Sequence, residues 1–121
     1  MAKVNLRKQK SKSKLQIIFD QGTKFVCKSF VALFLFSGSD PFSSTIVASK
    51  KVGGAVKRNR SKRRLREIVR LHIKPNVPSI KLILLARSDT ASIDFLLMLR
   101  DCSNLVKKIN ENKARIIPNE S

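Results

Sequence analysis

The spacing of apolar positions changes several times along the chain, and each change predicts an element. Over Ser13–Gln21, Leu15, Ile18 and Phe19 recur at helical intervals and Gly22 follows, which predicts a short helix closed by a left-handed glycine. Thr23–Phe36 is rich in β-branched and aromatic residues and predicts one long strand. Ser37–Ser44 (SGSDPFSS) is turn chemistry, so Thr45–Ser49 is expected to pair back as a second, antiparallel strand. A basic loop, Lys50–Gly54, leads into a helix from Ala55 to about His72. Pro75 and Pro78 then break the chain ahead of Ile80–Ala86 (IKLILLA), a continuous apolar run that reads as a buried strand. In Thr90–Ile109, Phe95, Met98, Leu99, Cys102, Val106 and Ile109 repeat every three to four residues, an amphipathic helix for which Thr90 and Ser92 are capping candidates. The order α-β-β-α-β-α predicts an α+β fold, a two-layer sandwich.

These elements fit one domain over residues 13–109, preceded by a basic arm (1–12, with Lys3, Arg7, Lys8, Lys10 and Lys12) and followed by a polar tail (110–121). The chain has 121 residues, enough to bury a core without staples. Its formal net charge of +18 changes the picture most. A compact domain with that much charge of one sign repels itself, and a polyanion relieves the field. Nucleic acid is the usual one, because each neutralised phosphate releases a condensed counterion. An anionic membrane surface is the rival, but the longest apolar run, Phe30–Phe36, is strand-sized and far short of a span. The N-terminus lacks the apolar region of a signal peptide. Cys27 and Cys102 match no metal-ligand spacing and read as reduced core residues, which makes a cytoplasmic location the expectation.

The charge is concentrated. Between Lys50 and Lys74 stand eleven basic residues (Lys50, Lys51, Lys57, Arg58, Arg60, Lys62, Arg63, Arg64, Arg66, Arg70 and Lys74), opposed only by Glu67. On a helical wheel, Leu65, Ile68, Val69 and His72 form one narrow stripe, which must face the sheet. Arg60, Arg63 and Arg70 point the opposite way, and Lys57, Arg64 and Arg66 flank the stripe. Arg58 and Lys62 continue the apolar line toward the helix N-terminus. A long cation on a core-facing line is costly unless the helix overhangs the sheet there. The first two turns are therefore expected to project past the core, with the glycine loop adding backbone donors suited to phosphate. The plainer reading is a solvated face, but such faces usually mix signs.

The run Lys50–Glu67 (KKVGGAVKRNRSKRRLRE) resembles the signature of the bacterial ribonuclease P protein family, of the form KKxGxAVxRNRxKRxxRE. The layout is also similar over most of the chain: a basic arm, a helix ending in Phe19 and Gly22, a strand carrying Phe30-Val31, a strand ending in Ser49, and an apolar strand ending in Ala86-Arg87. The resemblance implies a β-α-β crossover of the left-handed kind, against the general rule. It implies a catalytic RNA partner that, with Mg²⁺, removes the 5′ leader of precursor tRNA, and a protein that contacts both RNAs. Arg58, Asn59, Arg60, Lys62, Arg63 and Arg66 match motif positions that meet RNA in the family, and Lys50 and Lys51 match its basic loop; Lys57 and Arg70 join the expected RNA-binding set on the same helix. A cleft for the leader, between the first helix and the sheet, would include Leu15, Phe19 and Leu33, with Arg58, Asn59 and Lys62 beside it. Phe19 is either a stacking platform for a leader base or a core residue. The chain departs from the family pattern where Leu15 and Leu33 replace common aromatics, Ser43-Ser44-Thr45 replaces Arg-x-Gly, Gly54 replaces an Asn, and Lys81 replaces an acid.

Catalysis by the polypeptide itself would need paired carboxylates or paired histidines. His72 stands alone, and Asp89 and Asp94, the best-spaced acids, are explained by the helix start they flank. The expectation is a protein cofactor of an RNA enzyme, with a structural RNA-binding protein of ribosomal type as the alternative.

Overall fold

The computed structural model describes residues 14–120, with side chains described for 15–113. The arm expected over residues 1–12 lies outside the described residues. Helix α1 (Lys14–Gln21) leads into strands β1 (Thr23–Val26), β2 (Phe30–Phe36) and β3 (Ser43–Val47). A short 3₁₀ turn, Lys50–Val52, precedes α2 (Ala55–Ile68), which runs on through a π-helical turn, Val69–Ile73. Strand β4 (Ile80–Ala86) and helix α3 (Phe95–Glu120) complete the α+β fold.

The four strands form one sheet in the order β1-β2-β4-β3. Strand β4 occupies the centre because its residues are apolar on both faces. It pairs antiparallel with β2 (Leu33 opposite Ile83) and parallel with β3 (Thr45 opposite Ile83). The third strand therefore does not fold back on the second, as the turn chemistry of Ser37–Ser44 led us to expect. Its half-exposed residues suit an edge, and the apolar run from Ile80 displaces it from β2. Nor is Thr23–Phe36 one strand. It bends at residues 27–29 into a hairpin, with Thr23 opposite Phe34 and Val26 opposite Val31. Cys27 donates its N–H to the Phe30 carbonyl at 3.0 Å. The Ser29 hydroxyl, fully buried, donates to Asp101 Oδ2 at 2.7 Å.

The main core lies on the face of Phe30, Ala32 and Phe34 (β2) and Ile80, Leu82 and Leu84 (β4). It is covered by Leu65, Ile68, Val69 and Ile73 from α2 and by Met98, Cys102, Leu105 and Ile109 from α3. The α2 stripe ends on Ile73, fully buried, rather than on His72, which is half-buried. The π-helical turn accounts for the shift: a wider turn moves the core-facing position one residue onward. Helix α3 begins at Phe95 and runs past Ile109, its predicted end, to Glu120. Thr90 caps no helix. Buried in the preceding turn, its hydroxyl accepts the Arg87 N–H at 2.7 Å and donates to the Ser29 carbonyl at 2.6 Å.

Helix α1 packs on the opposite face, where Ile18 covers Leu33 and Ile83. Gly22 follows it, but its φ is not positive. Glycine is needed there for closeness instead. The Gly22 N–H donates to the Ile18 carbonyl at 2.8 Å, and a Cβ would stand 2.5 Å from that oxygen and 3.0 Å from the Phe34 carbonyl. Both obstacles are backbone and cannot swing away. Gly22→Ala should therefore lower stability by about 1–3 kcal/mol, read from the urea midpoint at unchanged slope.

Both cysteines are free thiols. Burial, the largest cause in each case, pushes Cys27 up to about 11 and Cys102 up to about 12. A thiol held neutral in the folded chain contributes stability below the ordinary value of 9.0, and that contribution fades as pH rises through the folded values. Stability should fall between pH 9 and 12, and iodoacetamide at pH 8 should label the unfolded chain far faster than the folded one.

Candidate nucleic-acid interface

The route into α2 begins at the end of β3. Past Val47 the chain turns through Lys50–Val52, where Val52 is buried and Lys50 and Lys51 are exposed. Gly53 then takes φ +143°, a conformation that side chains avoid, and an added Cβ would meet Lys57 Cδ at 2.7 Å. Gly54 holds the N-cap position with extended backbone and no side-chain cap. The helix thus opens with backbone N–H groups uncovered by any side-chain acceptor.

The first turn of α2 stands clear of the core. Ala55, Val56 and Lys57 are all exposed, Val56 at 80 %. The overhang is thus one turn long and not the two expected from the wheel, because Ser61 in the second turn is fully buried. Arg58, on the line of the apolar stripe, is half-buried and turns its guanidinium back to the Gly53 carbonyl at 3.3 Å. Ser61 is the fully buried residue of this stretch, its hydroxyl donating to the Lys57 carbonyl at 2.9 Å. A small hydroxyl with a backbone acceptor fits where a lysine would not, and Lys62 beside it stays half-exposed. Asn59, Arg60, Arg63, Arg66 and Arg70 are exposed.

Arg64 serves a different purpose. It reaches across to the Thr90 carbonyl at 2.9 Å. Through Thr90 and Ser29 the connection extends to Asp101 on α3, so one chain of hydrogen bonds joins α2, the turn before α3, the β1–β2 turn and α3 itself. Arg87 adds a link to the Cys27 carbonyl at 2.9 Å. Nothing in the spacing of Ser29, Arg64, Thr90 and Asp101 announces this set, because its members are far apart in sequence.

On the α1 face, Leu15 and Phe19 flank the buried Ile18 and remain exposed, Phe19 at 46 %, so Phe19 is not a core residue. Leu33 is buried in the sheet beneath Ile18. Arg58, Asn59 and Lys62 belong to the helix on the other face of the sheet. What the two groups share is an end of the sheet. The row Val31–Leu85–Val47, from which the chain departs toward α2, is next to the row that α1 covers. On the same face, at the far end of β4, Lys81 pairs with Asp40 at 3.3 Å.

Among the described residues, no group of three His, Cys, Asp or Glu side chains stands close enough to hold a metal ion, and no helix is long and apolar enough to cross a membrane. His72 is half-buried beside Asn76 and Asn110, with no second histidine in the chain.

Comparison with known proteins bears on this arrangement directly. Residues 4–110 match the family model Ribonuclease P. A ribonuclease P protein component of Streptococcus pneumoniae is 30 % identical over 105 residues, covering 87 % of this chain and 85 % of that protein. The ribonuclease P protein of Thermotoga maritima superposes with a TM-score of 0.68 at 31 % identity, over 79 % of this chain and 91 % of that one. That of Staphylococcus aureus superposes with a TM-score of 0.67 at 28 % identity, over 80 % and 89 %. With Asn59, Arg60, Arg63 and Arg66 of the motif exposed on α2 and the match spanning residues 4–110, this chain belongs to the ribonuclease P protein family.

Proposed function

We propose that this protein grips a catalytic RNA with the exposed cations of α2 and its preceding loop, and receives the 5′ leader of precursor tRNA in the cleft between α1 and the sheet. A role in tRNA 5′ processing follows from the family. The observation that carries the finer reading is the outward display of Lys50, Lys51, Lys57, Asn59, Arg60, Arg63, Arg66 and Arg70 on an element whose first turn leaves the core. Such a display offers phosphate contacts on several sides at once. On the same face as the buried Ile18, Leu33 and Ile83, Phe19 is 46 % exposed, which suits its ring to stacking without sequence preference. Leu15, also exposed on α1, would add apolar contact, and Arg58 and Lys62, on the other face, would meet the leader where it passes the end of the sheet.

In this reading the polypeptide positions and the RNA cleaves, in the cytoplasm. Mg²⁺ bound by the RNA would supply the activated water and stabilise the leaving oxygen. The protein's own acids do not fit that task. Asp101 is engaged by Ser29, Asp40 is paired with Lys81, and among the described residues no three acidic, His or Cys side chains stand close enough together to hold a metal ion.

Purified protein mixed with its cognate RNA at low Mg²⁺ should restore precursor-tRNA cleavage. Co-purification with ribosomal subunits and no stimulation of cleavage would favour a structural RNA-binding protein instead. Arg60→Ala and Arg63→Ala should each weaken RNA binding and flatten the log–log salt slope by about one. An unchanged slope would mean that those side chains meet only solvent. Phe19→Ala should cost about 1–3 kcal/mol of precursor affinity and leave mature-tRNA affinity nearly unchanged; equal losses for both would remove Phe19 from the leader site.

A further inference from the structure

The cations of α2 do not form one continuous face. The C-terminal part of the helix, its π-helical turn and the short 3₁₀ turn Lys74–Asn76 that follows bring Arg66, Arg70 and Lys74 toward the edge strand β3, where with Phe42, Ser43, Ser44 and Val69 they line a recess of about 290 Å³. We propose that this recess is a second phosphate site, separate from the overhanging N-terminal turn, which seats a backbone phosphate of a different RNA segment. It rests on the reading of the protein as an RNA binder, and adds to it a second point of contact at the other end of the helix.

Four observations support the assignment. The recess gathers three cations and no carboxylate, and none of the three is paired with an acid among the described residues. Two of the cations are guanidiniums, whose fork of donors fits phosphate oxygens. The opposite wall offers hydroxyls. Ser44, in register with Leu82, lies on the face of the sheet that α2 covers, and Ser43 precedes it at the strand's start. Strand β3 is also the end of the sheet, so backbone N–H groups on its outer side face no further strand. Cations on one side, and hydroxyls with free edge amides on the other, make a cradle for a tetrahedral anion. Phe42 is half-buried against the core rather than offered as a stacking platform, so the cradle reads backbone and not base.

A solvated basic flank would contribute only diffuse attraction, which depends on charge and is indifferent to a hydroxyl. That difference decides the test. With full-length protein and its cognate catalytic RNA, Lys74→Gln should reduce the salt slope by about one, whereas Lys107→Gln on the exposed side of α3 should barely move it. Ser44→Ala, which keeps every charge, should lower affinity about tenfold at fixed salt with the slope unchanged. Equal effects of the two lysine variants together with a silent Ser44→Ala would overturn the site. Backbone amide NMR with a single-stranded oligouridylate separates this proposal from the one beneath it. Shifts at Ser43 and Ser44 as well as Asn59 and Arg60 support both. Shifts at Asn59 and Arg60 alone overturn the recess and leave the main reading standing, and no shifts at either place overturn both.

Discussion

The outward display of the α2 cations depends on four side chains, Leu65, Ile68, Val69 and Ile73, that hold the helix against the sheet. The helix they anchor is a poor one by its own chemistry. Like charges recur at four-residue spacing, Arg58 with Lys62, Arg60 with Arg64, Lys62 with Arg66 and Arg66 with Arg70, and each such pair costs about 0.2–0.5 kcal/mol. Against this, burying a large aliphatic side chain contributes about 1.5–3 kcal/mol. Four of them outweigh the repulsions, so the helix is stable only as long as it is docked. Its positive charge is thus carried by packing that lies wholly on its other side.

The π-helical turn lets one helix do two jobs. Continued as a regular helix, the stripe would bring His72 toward the core after Val69. The wider turn brings Ile73 there instead, and leaves His72 at the boundary beside Asn76 and Asn110. The same region carries Arg70 and Lys74 to the β3 edge, away from the direction taken by Lys57 and Arg60. Arg64 is the exception among the cations, since its bond to the Thr90 carbonyl ties the helix to the turn before α3.

Much of this was legible in the chain. The helical spacing of Leu65, Ile68 and Val69 locates the docking stripe, whereas Arg58 and Lys62 on its extension suggest two free turns where the burial of Ser61 leaves one. The apolar run Ile80–Ala86 announced a strand buried on both faces. What could not be read were facts made by contacts distant in sequence. The bend at residues 27–29 has no glycine or proline to mark it, and its Ser29 is held by Asp101, 72 positions away. The partner of β3 is not legible because a turn-rich segment signals a reversal without saying which strand the chain meets next. Gly22 was recognised as necessary, but for its φ, when the cause is the nearness of two carbonyls. The register shift at Val69–Ile73 is hidden too, since a wheel assumes one pitch throughout.

The central place of β4 has a consequence for how the protein is made. The strand that joins β2 to β3 is encoded after the basic helix, not before it. While the chain emerges from the ribosome, the docking surface of α2 is incomplete until residue 86 has been added, and the Ser29 turn lacks its acceptor until Asp101 follows. A nascent chain of this kind carries its densest charge before it has a fold to display it on. Folding that depends on such late, long-range pairing is slow relative to local structure. The order of synthesis therefore places the gathering of positive charge ahead of the geometry that makes it selective.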